Sequence, residues 1–240
     1  MRPAFYTGFT HIRAYSTDEI RQRCLALMRA TAQSVSVITT VLPTIEADDA
    51  PVYHGATLSS FTSIAMYPQP LVSFSLRTPS RMAESLQRSK NSVIPHMVIN
   101  LLSATQAHLA LQFSRPREHP FACVPYYLSL EGIPILRGCI GAFSCSLVRS
   151  VPLGDTYPES SGGSIPAERH GEEQGSQLFV GRVHRVEAVS PPELMSMEDP
   201  PEDSEKGMLP LIYYRQKYVT VDLAHHLMLP GIPSSNNNDS

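Results

Sequence analysis

The sequence lacks most of the motifs that would assign its chemistry directly. It has no tryptophan, and its four cysteines form no C-x-x-C pair and have no histidine at a zinc-ligand spacing. No G-x-G-x-x-G or P-loop run occurs, and H-E-x-x-H and G-x-S-x-G are also absent. These absences count against dinucleotide-binding Rossmann domains, P-loop hydrolases, zinc proteases and serine hydrolases. The cysteines are predicted to be reduced and mostly buried.

Long apolar runs and a strong charge imbalance are missing as well. No run approaches the ~18 apolar residues of a membrane span, so no membrane association is expected. The net charge is −3, but half of the 22 acidic residues lie in two tracts, at 155–173 and 193–205. The rest of the chain is mildly basic, which favours a small anionic ligand over nucleic acid. A length of 240 residues with 42% hydrophobic content predicts one domain with a substantial core.

What the sequence does contain is a hydroxyl-rich stretch from His54 to Ser75, in which two strand-like runs flank a proline-containing turn. Because successive side chains of a strand point to opposite faces, Thr57, Ser59 and Phe61 would share one face. Hydroxyl and backbone N–H donors beside an aromatic ring suit a phosphate next to a flat ring. On spacing alone, a core hairpin with a polar outer face is the simpler interpretation.

The same stretch resembles the flavin reductase-like family, the FMN-binding split barrels. Six blocks agree in order. The first is G-x-T-x-S-S-F-T-S from Gly55, followed by a proline turn and a strand that ends near Arg77 and Ser80. The others are Val98–Ser103, which resembles the family's F-x-V-N-V-L-S strand, the Q-x-x-L-A-x-x-F helix from Gln106, the G-x-P-x-L turn from Gly132, the late barrel strand Leu178–Val183 and the closing P-L-x-Y element from Pro210. The similarity spans roughly residues 22 to 221.

The resemblance implies a mainly β fold, an antiparallel Greek-key split β-barrel of six or seven strands with a few peripheral helices. It also implies FMN as cofactor, with FAD as an alternative, NAD(P)H as electron donor, and a homodimer. The barrel domain would cover 17–230, with flexible insertions at 154–177 and 191–208 and a disordered tail at 231–240.

Carried onto this chain, the resemblance indicates seven candidate cofactor-binding residues. The Thr57–Ser60 segment, with its hydroxyls and backbone N–H groups, would hold the ribityl chain and phosphate. Arg77 and Ser80 would reach the phosphate or the pyrimidine edge, although Arg77 also fits a solvated charge at a strand end. Asn100 is either a donor to the ring or a residue that locks strands together. The full set is Thr57, Leu58, Ser59, Ser60, Arg77, Ser80 and Asn100. Of Tyr213 and Tyr214, one is expected to line the barrel mouth and the other to be core.

One departure from the family weakens the enzymatic interpretation. Bacterial relatives often carry G-D-H ahead of the late strand, whereas this chain has Gly175-Ser176-Gln177. His170 in the preceding insertion is a possible substitute. The main hypothesis is NAD(P)H-dependent flavin reduction. The alternatives are an FMN-dependent oxidase or oxygenase of the same fold, and a non-catalytic interaction subunit.

Local signals predict the remaining elements. Ser16 with Glu19 forms a capping box for a helix to about Ala32, and Ser103 with Gln106 forms another for a helix through Phe113. A short helix is expected over 79–88, with Met82 and Leu86 inward. Strands are predicted over 34–41, 135–151, 178–189 and 213–221. His184 is predicted to be solvated, and His225-His226 to lie on the surface.

The first 17 residues are basic, hydroxylated and free of acidic residues. This composition predicts a mitochondrial presequence over 1–16, with an ordinary disordered N-terminus and a cytoplasmic protein as the alternative.

Overall fold

The computed structural model describes residues 16–43, 50–90, 92–117, 119–153, 175–188 and 209–221. Three α-helices lie in these ranges: α1 (Thr17–Arg29), α2 (Arg81–Arg88) and α3 (Ala107–Phe113), the last preceded by a 3₁₀ turn at Ala104–Gln106. None of the described helices is long and apolar enough to cross a membrane.

The main sheet is antiparallel throughout and has seven strands. In chain order these are β2 (Ser36–Leu42), β3 (Val52–Leu58), β4 (Thr62–Ala65), β5 (Leu71–Thr78), β6 (Met97–Leu101), β9 (Gly141–Pro152) and β10 (Gly175–Ala188). Their order across the sheet is β3-β2-β6-β9-β10-β5-β4. Two small sheets flank it: β1 (Gln33–Ser34) with the hairpin β11 (Ile212–Tyr214) and β12 (Lys217–Val219), and β7 (Tyr126–Leu128) with β8 (Pro134–Leu136).

The sheet curls around one apolar core. The alternation predicted for β5 is observed, because Val72, Phe74 and Leu76 are all buried and point inward. Inward residues of the other strands meet them, and α2 closes the assembly with Met82 and Leu86. This core comprises Ile38, Leu58, Val72, Phe74, Leu76, Met82, Ala83, Leu86, Met97, Ile99, Cys145, Leu147 and Phe179. The predicted split barrel with few helices is therefore confirmed.

A second core covers the outer face of β2 and β3. Val37 of β2 packs there with Leu109, Ala110 and Phe113 of α3, and with Leu211 ahead of β11. Gly55 of β3 lies so close to this layer that a Cβ atom would come 2.6 Å from the Phe113 ring. A side chain at position 55 would therefore push α3 away from the barrel.

Two strand predictions and one predicted boundary need correction. The strand expected over 135–151 is two strands, β8 and β9, separated by a turn in which Gly138 adopts φ +81°. The strand expected over 213–221 is the β11–β12 hairpin, reversed at Arg215 and Gln216, both of which have positive φ. Residues 175–177, which were expected to belong to the insertion at 154–177, pair in β10, and residues 154–174 lie outside the described part of the chain.

Both predicted capping boxes are observed. Ser16 accepts from the Glu19 N–H at 3.2 Å, and the Glu19 carboxylate accepts from the Ser16 N–H at 3.0 Å. The helix ends at Arg29, three residues before the predicted end, and none of its residues is buried. The cysteine prediction is half right, since Cys139 and Cys145 are buried whereas Cys24 and Cys123 are exposed.

Candidate functional site

The hydroxyl-rich stretch does not continue as one strand through the serines. β3 ends at Leu58, and Ser59 and Ser60 form an exposed bend before β4. The predicted shared face of Thr57, Ser59 and Phe61 is therefore wrong. Phe61 instead stacks against Phe143, with ring centroids 6.1 Å apart.

The serine bend is fixed against β5 by its own side chain. The Ser60 hydroxyl accepts from the Ser75 backbone N–H at 2.9 Å and donates to the Ser75 carbonyl at 3.3 Å. Ser60 is thus a positioning residue, whereas the neighbouring Ser59 hydroxyl is solvent-exposed. The Ser59 hydroxyl and the backbone of the bend are therefore exposed to solvent on a loop that Ser60 fixes to β5.

Two further groups lie on β5 and just beyond its end. Arg77 is exposed and lies two residues beyond Ser75, so the Cα atoms of these residues are within about 7 Å. Ser80 caps α2, its hydroxyl accepting from the Ala83 N–H at 3.1 Å. The positive end of the α2 dipole therefore lies just beyond the end of β5.

The local charge favours an anion. Residues 50–83 contain no aspartate or glutamate and include Arg77 and Arg81, so Glu84 in the first turn of α2 is the acidic residue nearest to these arginines along the chain. His54, half-buried on β3, contributes no charge at neutral pH, because burial lowers its pKa and the Arg81 guanidinium lowers it further. Hydroxyl donors, a guanidinium and a helix N-terminus are the groups that proteins use to bind phosphate.

Thr57 and Leu58 are held by other contacts. The Thr57 hydroxyl donates to the Ala110 carbonyl of α3 at 2.7 Å, and this bond ties β3 to the outer helix. The Leu58 side chain is only 2% exposed, in the barrel core. Neither side chain is presented to a ligand, so any contact from these residues would come through their backbone.

Asn100 is fully buried and fully paired. Its Nδ2 donates to the Val37 carbonyl at 3.1 Å and to the Thr39 hydroxyl at 3.3 Å, and its Oδ1 accepts from the Leu136 N–H at 2.9 Å. These bonds join β2, β6 and β8. The structure therefore supports the strand-locking role for Asn100 over the ring-donor role.

Gln177, at the place of the family histidine, is also buried, with 5% of its surface exposed. Its Oε1 accepts from Gln87 Nε2 at 2.6 Å, which links β10 to α2. Sequence reasoning missed this contact, because its partners are 90 residues apart and carry no local signal. The suggested substitute His170 lies outside the described residues.

The other candidate residues lie away from the serine bend. Tyr213 packs in the second core with Tyr218, and Tyr214 lies under the Arg215 guanidinium, 5.2 Å from its ring centroid. His184 is exposed as predicted and pairs with the Ser146 hydroxyl at 2.8 Å. His225-His226 falls outside the described residues. Within the described ranges, no group of three or more metal-ligating side chains comes together.

Comparison with known proteins identifies the family of this chain. Residues 28–222 match the flavin reductase like domain family. The NADH:FMN oxidoreductase of Rhodococcus erythropolis is 28% identical over 194 residues, which cover 80% of this chain and 78% of the relative. This chain therefore belongs to the flavin reductase-like domain family.

Solved structures show the same fold. The nitrilotriacetate monooxygenase component B homologue from Mycobacterium thermoresistibile superposes with a TM-score of 0.60 at 20% identity, covering 91% of this chain and 96% of that one. The flavin reductase HpaC, solved in complex with NADP+, gives 0.56 at 21% identity, covering 84% and 97%.

The mitochondrial localisation predicted from the basic N-terminus is wrong. The related flavin reductases come from bacteria, including species of Rhodococcus, Rhizobium and Agrobacterium, and bacteria have no mitochondria. Residues 1–15 lie outside the described part of the chain.

Proposed function

We propose that this protein binds FMN and catalyses its reduction by NADH or NADPH. The observation that carries the proposal is the serine bend, fixed on β5 through Ser60 and followed on that strand by Arg77. Membership of the flavin reductase-like family supports the choice of ligand, because phosphate-binding groups alone do not distinguish one nucleotide from another.

The residues present fit an FMN phosphate. Ser59 would donate from its exposed hydroxyl, the backbone of the bend would supply N–H groups, and Arg77 would supply the opposing charge. The positive end of the α2 dipole would add to the attraction that Arg77 exerts on the phosphate. Ser60 and Ser80 have their hydroxyls in structural bonds, so their contribution is to hold the bend and the helix in position.

The demands on the protein are small. A bound flavin would supply the hydride acceptor, at its N5 position, and the nicotinamide would supply the hydride, so the cofactors carry the chemistry of this step. The chain must hold the two rings face to face and keep the phosphate end fixed. No side-chain acid is required, because water can supply the proton. Gln177 is buried against Gln87, so the nicotinamide would be held by other groups.

The functional unit is proposed to be a homodimer. Its support is the family resemblance, together with the general observation that two-fold dimers are the commonest assembly of soluble proteins.

Two measurements test the function. Absorbance titration of the purified protein with FMN, and separately with FAD, measures cofactor binding and its preference. Anaerobic stopped-flow mixing of the FMN-loaded protein with NADH or NADPH then measures reduction. We expect the flavin band to bleach within seconds.

A flavin band that forms but does not bleach with either nicotinamide would contradict reductase activity. It would favour the oxidase or oxygenase alternative, in which another protein reduces the flavin. Absence of FMN binding would contradict the whole proposal and leave the non-catalytic interaction subunit.

A further inference from the structure

A cleft of about 260 Å³ separates the end of helix α1 from the turn between β11 and β12. Its lining residues are Ala26, Arg29, Ala30, Arg215 and Gln216. Pockets that hold drug-sized ligands have volumes of roughly 300–1,000 Å³, so this cleft suits a small group rather than a whole dinucleotide. None of its residues belongs to the candidate cofactor site, and the cleft is therefore a separate feature of the molecule.

The turn that forms one wall of the cleft has an unusual sequence for its conformation. Arg215 and Gln216 have φ of 49° and 63°. A two-residue hairpin turn of this kind is usually made by Asn-Gly, which tolerates positive φ. Here the two positions carry long polar side chains that line the cleft. The Arg215 N–H also donates to the Arg29 carbonyl at 2.9 Å, which fixes the turn against the end of the helix.

Both guanidinium groups of the cleft are held by uncharged side chains. When the Gln216 amide is oriented to make this contact, its oxygen accepts from Arg29 Nε at 2.9 Å and from Arg29 Nη1 at 3.2 Å. The Arg215 guanidinium lies over the Tyr214 ring, with Cζ 5.2 Å from the ring centroid. Neither contact removes the positive charge. Lys217, exposed at the start of β12, adds a third cation beside the turn.

The end of α1 opposes an anion less than most helix ends do. The C-terminal carbonyls of a helix carry partial negative charge, which repels anions. In α1, the carbonyls of Leu27, Met28 and Arg29 each accept a hydrogen bond from a backbone N–H group. These carbonyls therefore present less negative charge to the cleft, and the Arg29 guanidinium is not needed to cap them.

No carboxylate among the described residues forms a salt bridge with Arg29 or Arg215. Asp18 and Glu19 lie in the first turn of α1, about 15 Å from Arg29 along the helix axis at 1.5 Å per residue. Asp222 follows β12 and lies outside the described part of the chain. The positive charge of the cleft is thus not balanced by a carboxylate that the structure describes.

We propose that this cleft binds the phosphate group of a small molecule. Guanidinium groups bind phosphate oxygens through charge-assisted and often bidentate hydrogen bonds. Arg29 belongs to the helix wall of the cleft and Arg215 to the turn wall, so a phosphate between the walls accepts from both. The ligand chemistry is a phosphate dianion, supplied either as free phosphate or as a phosphomonoester such as a nucleoside monophosphate.

Isothermal titration calorimetry with inorganic phosphate tests the proposal, in the presence of saturating FMN so that the candidate cofactor site is not available to phosphate. The double variant Arg29→Gln, Arg215→Gln is expected to weaken phosphate binding at least about tenfold, because it removes two charge-assisted hydrogen bonds. The charge-matched control is Arg137→Gln, Arg149→Gln. Both of these arginines are exposed, and Arg137 also lies over a tyrosine ring, that of Tyr127. The control should keep native phosphate affinity.

Ala26→Glu covers the case in which the double variant fails to fold. Ala26 lines the cleft on α1, which buries none of its residues, so a glutamate there leaves the packing unchanged. Its carboxylate repels phosphate and is expected to weaken binding at least about tenfold as well. The matched control is Cys24→Glu, because Cys24 is exposed two residues earlier and therefore on the opposite face of the helix.

Adenosine 5′-monophosphate distinguishes the two sources of the phosphate. If the native protein binds it more tightly than inorganic phosphate, and the double variant loses this binding, the ligand is a nucleotide. An equal or weaker affinity indicates free phosphate.

The proposal is overturned if the native protein does not bind phosphate under these conditions. It is also overturned if a folded double variant or Ala26→Glu keeps native phosphate affinity, or if the charge-matched control loses as much. FMN affinity, measured separately on the same variants, is expected to stay native. A failure of FMN binding would contradict the proposed function and leave the comparison of phosphate affinities intact.

Discussion

At the scale of single residues, the hydroxyl groups of the serine bend divide into two kinds. Ser60 uses its hydroxyl to hold Ser75, and Thr57 uses its hydroxyl to hold α3, whereas Ser59 makes no such contact with any residue that the structure describes. Residue type alone does not separate these roles. The division predicts which substitution affects ligand binding without affecting the fold.

Ser59→Ala is expected to weaken FMN binding about tenfold and to leave the denaturation midpoint unchanged. One hydrogen bond to a charged phosphate contributes about 1.5 kcal/mol, which corresponds to that factor. Arg77→Gln, which removes the charge, is expected to weaken binding at least as much. Fluorescence titration with FMN measures both, with Ser150→Ala on β9 as the control. Native affinity in folded Ser59→Ala and Arg77→Gln proteins would place the phosphate elsewhere.

At the scale of elements, α1 and α2 have matching caps but different surroundings. Ser16 and Ser80 each accept a hydrogen bond from the N–H three residues on. α1 buries none of its residues, whereas α2 buries Met82, Ala83, Ser85 and Leu86. A cap stabilises the whole fold only when its helix unfolds together with the core.

The two caps therefore predict different outcomes for the same substitution. Ser80→Ala is expected to lower the global free energy of unfolding by about 1 kcal/mol, the usual contribution of an N-cap. Ser16→Ala is expected to leave global stability unchanged and to speed amide hydrogen exchange within 17–29. Urea denaturation and hydrogen exchange measure the two effects. A global loss on Ser16→Ala would show that α1 is packed against something in solution.

At the scale of the whole molecule, the two buried thiols couple stability to pH. Burial raises the pKa of Cys139 and of Cys145 from 9.0 to about 12. In the unfolded chain the same thiols ionise near their ordinary value, so the unfolded state releases protons first. Their contribution to stability is therefore complete below pH 9 and is lost as the pH rises towards 12.

The free energy of unfolding is accordingly expected to fall between pH 9 and pH 11. Urea denaturation at pH 8, 9.5 and 10.5 measures the decline. Cys145→Ala removes one of the two thiols and should make the decline shallower, which separates the thiols from other groups that titrate in alkali. An equally steep decline in this variant would show that Cys145 does not contribute.

Much of this fold could be predicted from the sequence where the signal is local. Ser16 with Glu19 and Ser103 with Gln106 are capping pairs three residues apart, and both start helices as predicted. Alternation correctly put Val72, Phe74 and Leu76 on one buried face. The errors fall at turns. Arg215 and Gln216 adopt positive φ in the turn between β11 and β12. Neither is a glycine or an asparagine, the residues that usually mark such a turn in a sequence.

The sequence by itself determined the class of protein and the region of the candidate site, because both depend on motifs and periodicities within a few residues. Only the tertiary structure decided which side chains remain available. Thr57 meets Ala110 across 53 residues, Asn100 meets Val37 across 63, and Gln87 meets Gln177 across 90. Alternation along a strand fixes which side chains share a face. It does not fix which residues, distant in the sequence, pack against that face, because those contacts depend on strand order and register, which only the folded barrel defines.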